Sequence, residues 1–174
     1  AAAARMAVGE AITNLLAAPV KQLDEVVFSA NWMAAPNHEQ QGAALFQAVT
    51  AITQDFCTEL GIAIPVGKDS LSMRSQWGKE TDRTGVTSPV SLVISALAPL
   101  DDVRETITPQ LIVDEATRCL LIDLGQGHQA MAGSALAQVT SQLGRVAPDV
   151  RSVESLKQFV SLIDELKAKG FILA

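Results

Sequence analysis

The sequence has little cysteine: Cys57 and Cys119 are the two thiols among 174 residues. Neither belongs to a Cys-x-x-Cys pair or to a Cys/His metal spacing. Usage this thin points to a reducing, cytoplasmic setting. Cys57 falls in the helical pattern TQDFCTELG and Cys119 in the strand pattern TRCLLIDLG, and both are expected to be buried core thiols. Positive charge is short as well. Thirteen Lys and Arg stand against nineteen Asp and Glu, a net charge of −6, which argues against nucleic-acid binding through a basic surface. No apolar run reaches the roughly eighteen residues of a membrane span. The start AAAARMAVGEAI looks like a signal core, but Arg5 and Glu10 interrupt it and no cleavage-type context follows. No internal repeat occurs, and no low-complexity tract beyond that Ala-rich start.

What is present is a good supply of core. Apolar residues make up 48 % of the chain, enough for a packed interior in one domain or in pieces of two. Residues 1–18 read as a helix with Met6, Ile12, Leu15 and Leu16 in its apolar stripe and Pro19 as its stop. EVVFSAN (25–31) reads as a strand and WMAAPNHEQQG (32–42) as a loop. A second helix is expected over 43–60, with Gly61 as its stop, and then a short buried strand IAIPV. Pro65 argues for an edge position or a strand end there. RSQWGKETDRTGVTS (74–88) reads as a polar loop, and PVSLVISALAPL (89–100) as the clearest buried strand. A domain boundary is expected near 107–117. Beyond it RCLLIDLG reads as a strand, SALAQVTSQLG and VRSVESLKQFVSLIDELKAKG as helices, and FILA as the opening of a strand. Ser152 is a candidate N-cap for the last helix. Strands alternating with helices indicate an α/β to α+β fold. The chain starts without Met inside a helix and stops inside a strand, so it is expected to be cut from a longer protein.

Four groups of residues could carry chemistry. Glu10 and Asn14 lie four apart on the first helix, so they share a face and offer the hard oxygens that Mg²⁺ prefers. A solvated helix face gives the same spacing. In VGKDS, Lys68, Asp69 and Ser70 put a cation, a carboxylate and a hydroxyl at one strand end, which suits a phosphate or an ordinary capped turn. The string lacks the upstream glycine of a P-loop, and it is similar to the pyrophosphate loop of adenylating enzymes only in part. Asn31 and Trp32 follow a strand, at an edge where α/β sites lie; Trp32 could equally belong to the core. His38 sits in a polar loop, and His128 in the glycine-bearing turn LGQGHQAMAG, which could receive an anion. No Ser/His/Asp set can be assembled, and no catalytic residue is assigned.

Several strings occur together in order: ARMAVGEAITNL, FSANWM, GIAIPVGKDSLSM, TSPVSLVISA and LLIDLGQGH. In this order they resemble the large-form phosphoribosylformylglycinamidine synthase family, over nearly the whole chain and most closely in the second half of its synthetase region. The resemblance implies a glutamine-dependent ligase of purine biosynthesis, built from units like aminoimidazole ribonucleotide synthetase with a mixed sheet covered by helices. Residues 1–113 would be the later part of an A-type domain and 114–174 the beginning of a B-type domain. It further implies that Glu10 and Asn14 are Mg²⁺ ligands at a retained ATP/ADP site, and that Lys68, Asp69 and Ser70 face a central cleft. Partners would be the other domains of the same polypeptide, namely the first synthetase half and the glutaminase domain, with small-molecule substrates. Neither the glutaminase triad nor the substrate-binding half is present, so the chain alone is expected to be inactive. The competing expectations are a stand-alone adenylating enzyme using VGKDS, and a non-catalytic scaffold.

Overall fold

The structure, a computed structural model, describes residues 1–79 and 81–174. Helix α1 spans Ala2–Leu15. Ala4, Val8, Ile12 and Leu16 recur every fourth residue and are all buried, which makes one stripe along the helix. Met6, expected in that stripe, faces outward and is 38 % exposed. Strand β1 covers Val27–Met33, two residues later than its sequence pattern suggests. It runs on through Trp32 and Met33 because both its neighbours pair with it that far.

β1 is the centre of a three-stranded mixed sheet, between β2 (Ala63–Ser70) and β5 (Ser91–Leu97). It pairs parallel with β2 and antiparallel with β5. Alternation sends Phe28, Ala30 and Trp32 to one face with Ile94 and Ala96, and the helices cover that face. The opposite face, with Asn31, Val66 and Val93, is open, and Val66 and Val93 are well exposed. β2 lies at the sheet edge, as Pro65 implies. Its register slips between Val27↔Ala63 and Ser29↔Val66, so the extra residue falls beside that proline.

The crossover from β1 to β2 is helical: α2 (Gln41–Thr50), a π-helical turn (Ala51–Phe56), then α3 (Cys57–Leu60). The Thr58 hydroxyl donates to the Thr53 carbonyl at 3.0 Å inside the widened turn. Gly61, at φ +81, ends the run. Residues 74–88 are not a plain loop. β3 (Arg74–Trp77) and β4 (Thr84–Thr87) pair antiparallel as a separate ribbon. Glu80, inside that expected loop, lies outside the described residues.

The second part of the chain departs further from its sequence pattern. RCLLIDLG forms no strand; Leu120 and Leu121 are 81 % and 96 % exposed. Cys119 is exposed, not buried. A strand is completed by its neighbours' hydrogen bonds, and no described strand lies beside this segment. FILA is likewise irregular, with Phe171 exposed. Helix α4 (Ala135–Val139) is a short piece capped by Ser134. Helix α5 (Val153–Ala168) forms as expected. The Ser152 hydroxyl oxygen accepts from the Ser155 N–H at 3.1 Å, and Val153, Leu156 and Val160 enter the core. Lys167 donates to the Leu16 and Ala18 carbonyls, closing the end of α1. Lys157 does the same for Glu59 at the end of α3. The result is an α+β arrangement with the helices on one face of the sheet. No described helix is long and apolar enough to cross a membrane.

Candidate functional site

Glu10 and Asn14 project from α1 one helical turn apart, both exposed. The Thr13 hydroxyl donates to the Glu10 backbone carbonyl at 2.9 Å. The Glu10 carboxylate itself has no ion pair among the described residues. These two side chains therefore present free oxygens of the kind a hard cation accepts. They supply part of a coordination shell, since no cluster of three or more His, Cys, Asp or Glu that could hold a metal occurs among the described residues.

Glu10 borders a cavity of about 450 Å³ between α1 and the start of α5. The cavity exists because two contacts dock the segment before α5 onto α1. Arg5 grips Asp149 with two hydrogen bonds, at 2.8 and 2.6 Å. The bond to Asp149 holds the Arg5 guanidinium above its usual pKa against the opposing effect of partial burial. One turn along, Gly9 lies under Val150. A Cβ on Gly9 would come within 2.8 Å of Val150 Cγ2, so a larger residue would push the segment away.

The remaining wall comes from the LGQGH turn. Asp123 accepts from the Gly125 N–H at 2.7 Å, and the His128 N–H donates to the Gly125 carbonyl at 2.9 Å. Gln126 takes a left-handed φ of +52, and its side-chain amide donates to Ser155 Oγ at 3.0 Å. The turn is thus fastened to the first turn of α5. His128, Arg151, Ser152 and Ser155 line the same cavity as Glu10.

The GKDS residues are placed elsewhere. Lys68, Asp69 and Ser70 are the last three residues of β2, at the sheet edge away from β5, and none of them lines the cavity. Register puts Lys68 beside Asn31 and Ser70 beside Met33, with Asp69 beside Trp32 on the other face. Lys68 Nζ bonds Ser70 Oγ. The carboxylate is therefore separated from the cation and the hydroxyl by the pleat. On the open face the Asn31 side-chain oxygen is buried and lacks a hydrogen-bond partner among the described residues. Trp32 packs against the core. His38 Nδ1 stands 3.8 Å from Glu39 Oε1, and His38 does not line the Glu10 cavity. Arg151 and Ser155 drew no attention as ligands in the sequence, because nothing local to them encodes an approach to a helix some 140 residues earlier in the chain.

Residues 1–99 match the FGAR-AT PurM_N-like domain. That is more than half of the chain, and the chain belongs to this FGAR amidotransferase-related family. The family is that of a purine-biosynthesis synthetase region. The matched stretch holds α1 with Glu10 and Asn14 and the whole sheet, including Lys68, Asp69 and Ser70.

Proposed function

We propose that this chain is part of a large-form enzyme that converts formylglycinamide ribonucleotide, glutamine and ATP to formylglycinamidine ribonucleotide, glutamate, ADP and phosphate. In this reading it comes from the second half of the synthetase region. Residues 1–113 are the later part of an A-type domain and 114–174 the start of a B-type one. The observation that carries the reading is the pair of free oxygens on Glu10 and Asn14, one turn apart on a helix inside the family-matched stretch, with Glu10 at the rim of a cavity.

The pair would hold Mg²⁺ together with carboxylates from elsewhere in the longer polypeptide, at an auxiliary site that retains ATP or ADP. Bound there, the cation would supply charge neutralisation for the nucleotide's phosphates. The protein's part is to hold α1 rigid, which the Arg5–Asp149 pair and the Lys167 contacts do from both ends. Lys68, Asp69 and Ser70 would meet the central cleft, with Lys68 and Ser70 on its side of the sheet. The partners are the first synthetase half and the glutaminase domain, the setting is cytoplasmic, and the chain by itself is inactive.

The test is Glu10→Ala in the complete polypeptide. A ligand at a hundred times its Kd stabilises by about 2.7 kcal/mol, so loss of retained nucleotide should appear both as lower nucleotide content and as a lower Tm. Unchanged content and melting would reject the assignment.

A further inference from the structure

Residues 149–152 cross α1 as a strap between two hollows. On one side lies the cavity of about 450 Å³ that Glu10 borders, and on the other a groove of about 500 Å³ that reaches Asp55 and Glu59. Consecutive strap residues meet α1 one turn apart: Asp149 pairs with Arg5, and Val150 rests on Gly9. Glu10 is the next residue along the helix. We propose that the strap is a gate for the Glu10 site. Gly9 is the seat on which it closes, the Arg5–Asp149 pair is its latch, and lifting it lets a bound nucleotide exchange. The inference rests on the magnesium-nucleotide reading and adds how that site opens.

Glycine is, after proline, the weakest helix former, yet Gly9 stands in the interior of α1. No turn calls for it there, since its φ is not positive. What calls for it is space. A Cβ at this position would lie 2.8 Å from Val150 Cγ2, well inside carbon–carbon contact distance. Val150 is β-branched and stiff at χ1, so a larger residue at position 9 moves the strap rather than one side chain. The strap itself is free to move. Its ends are fixed, with the Ala132 N–H donating to the Val146 carbonyl at 3.0 Å and Ser152 capping α5. Between those anchors, residues 147–151 make no backbone hydrogen bond among the described residues. Lifting the strap therefore costs one partly exposed ion pair and the Val150 contact, which places it among the segments that open locally without global unfolding.

The test is a set of substitutions in the complete polypeptide, read in two ways. One is exchange of the retained nucleotide for labelled ADP. The other is trypsin cleavage after Arg151, which is exposed on the strap and is cut faster when the segment opens. Gly9→Ala should speed both by about tenfold or more, because the added methyl overpacks the seat. Adding Val150→Ala removes the clashing Cγ2 and should bring both rates back to within about threefold of the parent's. That rescue separates gating from a weakened α1, since alanine favours the helix in both variants. Arg5→Lys keeps the charge, loses the two-pronged grip, and should fall between parent and Gly9→Ala. Faster cleavage with unchanged exchange would overturn the gate. So would rates that Gly9→Ala leaves untouched, or fast rates that Val150→Ala does not restore. A parent that carries no nucleotide is a different failure: it rejects the magnesium-nucleotide reading, and the gate with it.

Discussion

PVSLVISALAPL and RCLLIDLG read alike in the sequence, as apolar runs fit for buried strands. The first becomes β5, pairing with β1 along its whole length, with Leu92, Ile94 and Ala96 packed toward the core. The second belongs to no strand and leaves Leu121 96 % exposed. The difference lies in their neighbours. β5 has β1 on one side and helices over one face, so both its backbone groups and its side chains find partners. RCLLIDLG pairs with no strand among the described residues, and only Leu124, at its end, packs against the core. An apolar run states a capacity for burial, and the surrounding elements decide whether it is used. The two cysteines repeat the contrast: Cys57 is closed in behind the crossover helices, and Cys119 is open to solvent.

The contrast can be pressed from its strongest effect downward. Phe28, 1 % exposed at the centre of the packed region, should cost about 3–5 kcal/mol on replacement by Ala, read from urea denaturation. A loss below about 1 kcal/mol would mean that the sheet-helix core is not what holds the fold. Thiol labelling at pH 8 comes next. Burial pushes the Cys57 thiol up to about 11, and it is shielded, so Cys119 should react roughly a hundredfold or more faster. Comparable rates would erase the distinction between the two regions. The same shift has a sign. As pH rises the unfolded thiol, near 9.0, loses its proton before the folded one does. Its contribution to stability is therefore complete below about 9 and lost as the pH climbs toward about 11.

Asp149→Ala breaks the tie between the regions rather than either one. The pair is partly buried, with side-chain exposures of 26 % and 17 %, so a loss of about 1–2 kcal/mol is expected, with Val150 lifting from Gly9. Leu121→Ser should be the mildest, within about 0.5 kcal/mol. A large destabilisation there would show that the irregular segment is packed after all.

Much of the matched region was legible in the residues. Gly61 stops its helical run, Pro65 marks an edge, and Ser152 caps α5, because each acts through bonds and sterics within a few residues of itself; α1, expected to run to Pro19, ends at Leu15. Register was less legible: β1 begins at Val27 and ends at Met33 because its partners do so. The 74–88 ribbon was hidden by polarity, since a two-stranded ribbon needs no apolar face to pair its backbone. At the candidate site, the spacing of Glu10 and Asn14 was readable from helix period alone. The wall facing Glu10 was not, because it depends on Arg5 finding Asp149.

The sequence by itself determined that Gly61 ends the crossover helix, that Ser152 caps α5, and that two oxygen-bearing side chains share one helix face. These follow from local geometry and solvation. Tertiary structure alone decided which apolar runs are covered, that Asp69 is parted from Lys68 and Ser70, and that Arg151 comes to Glu10's cavity. Those outcomes depend on contacts between residues distant in the chain, and no local rule of spacing or propensity encodes a partner that far away.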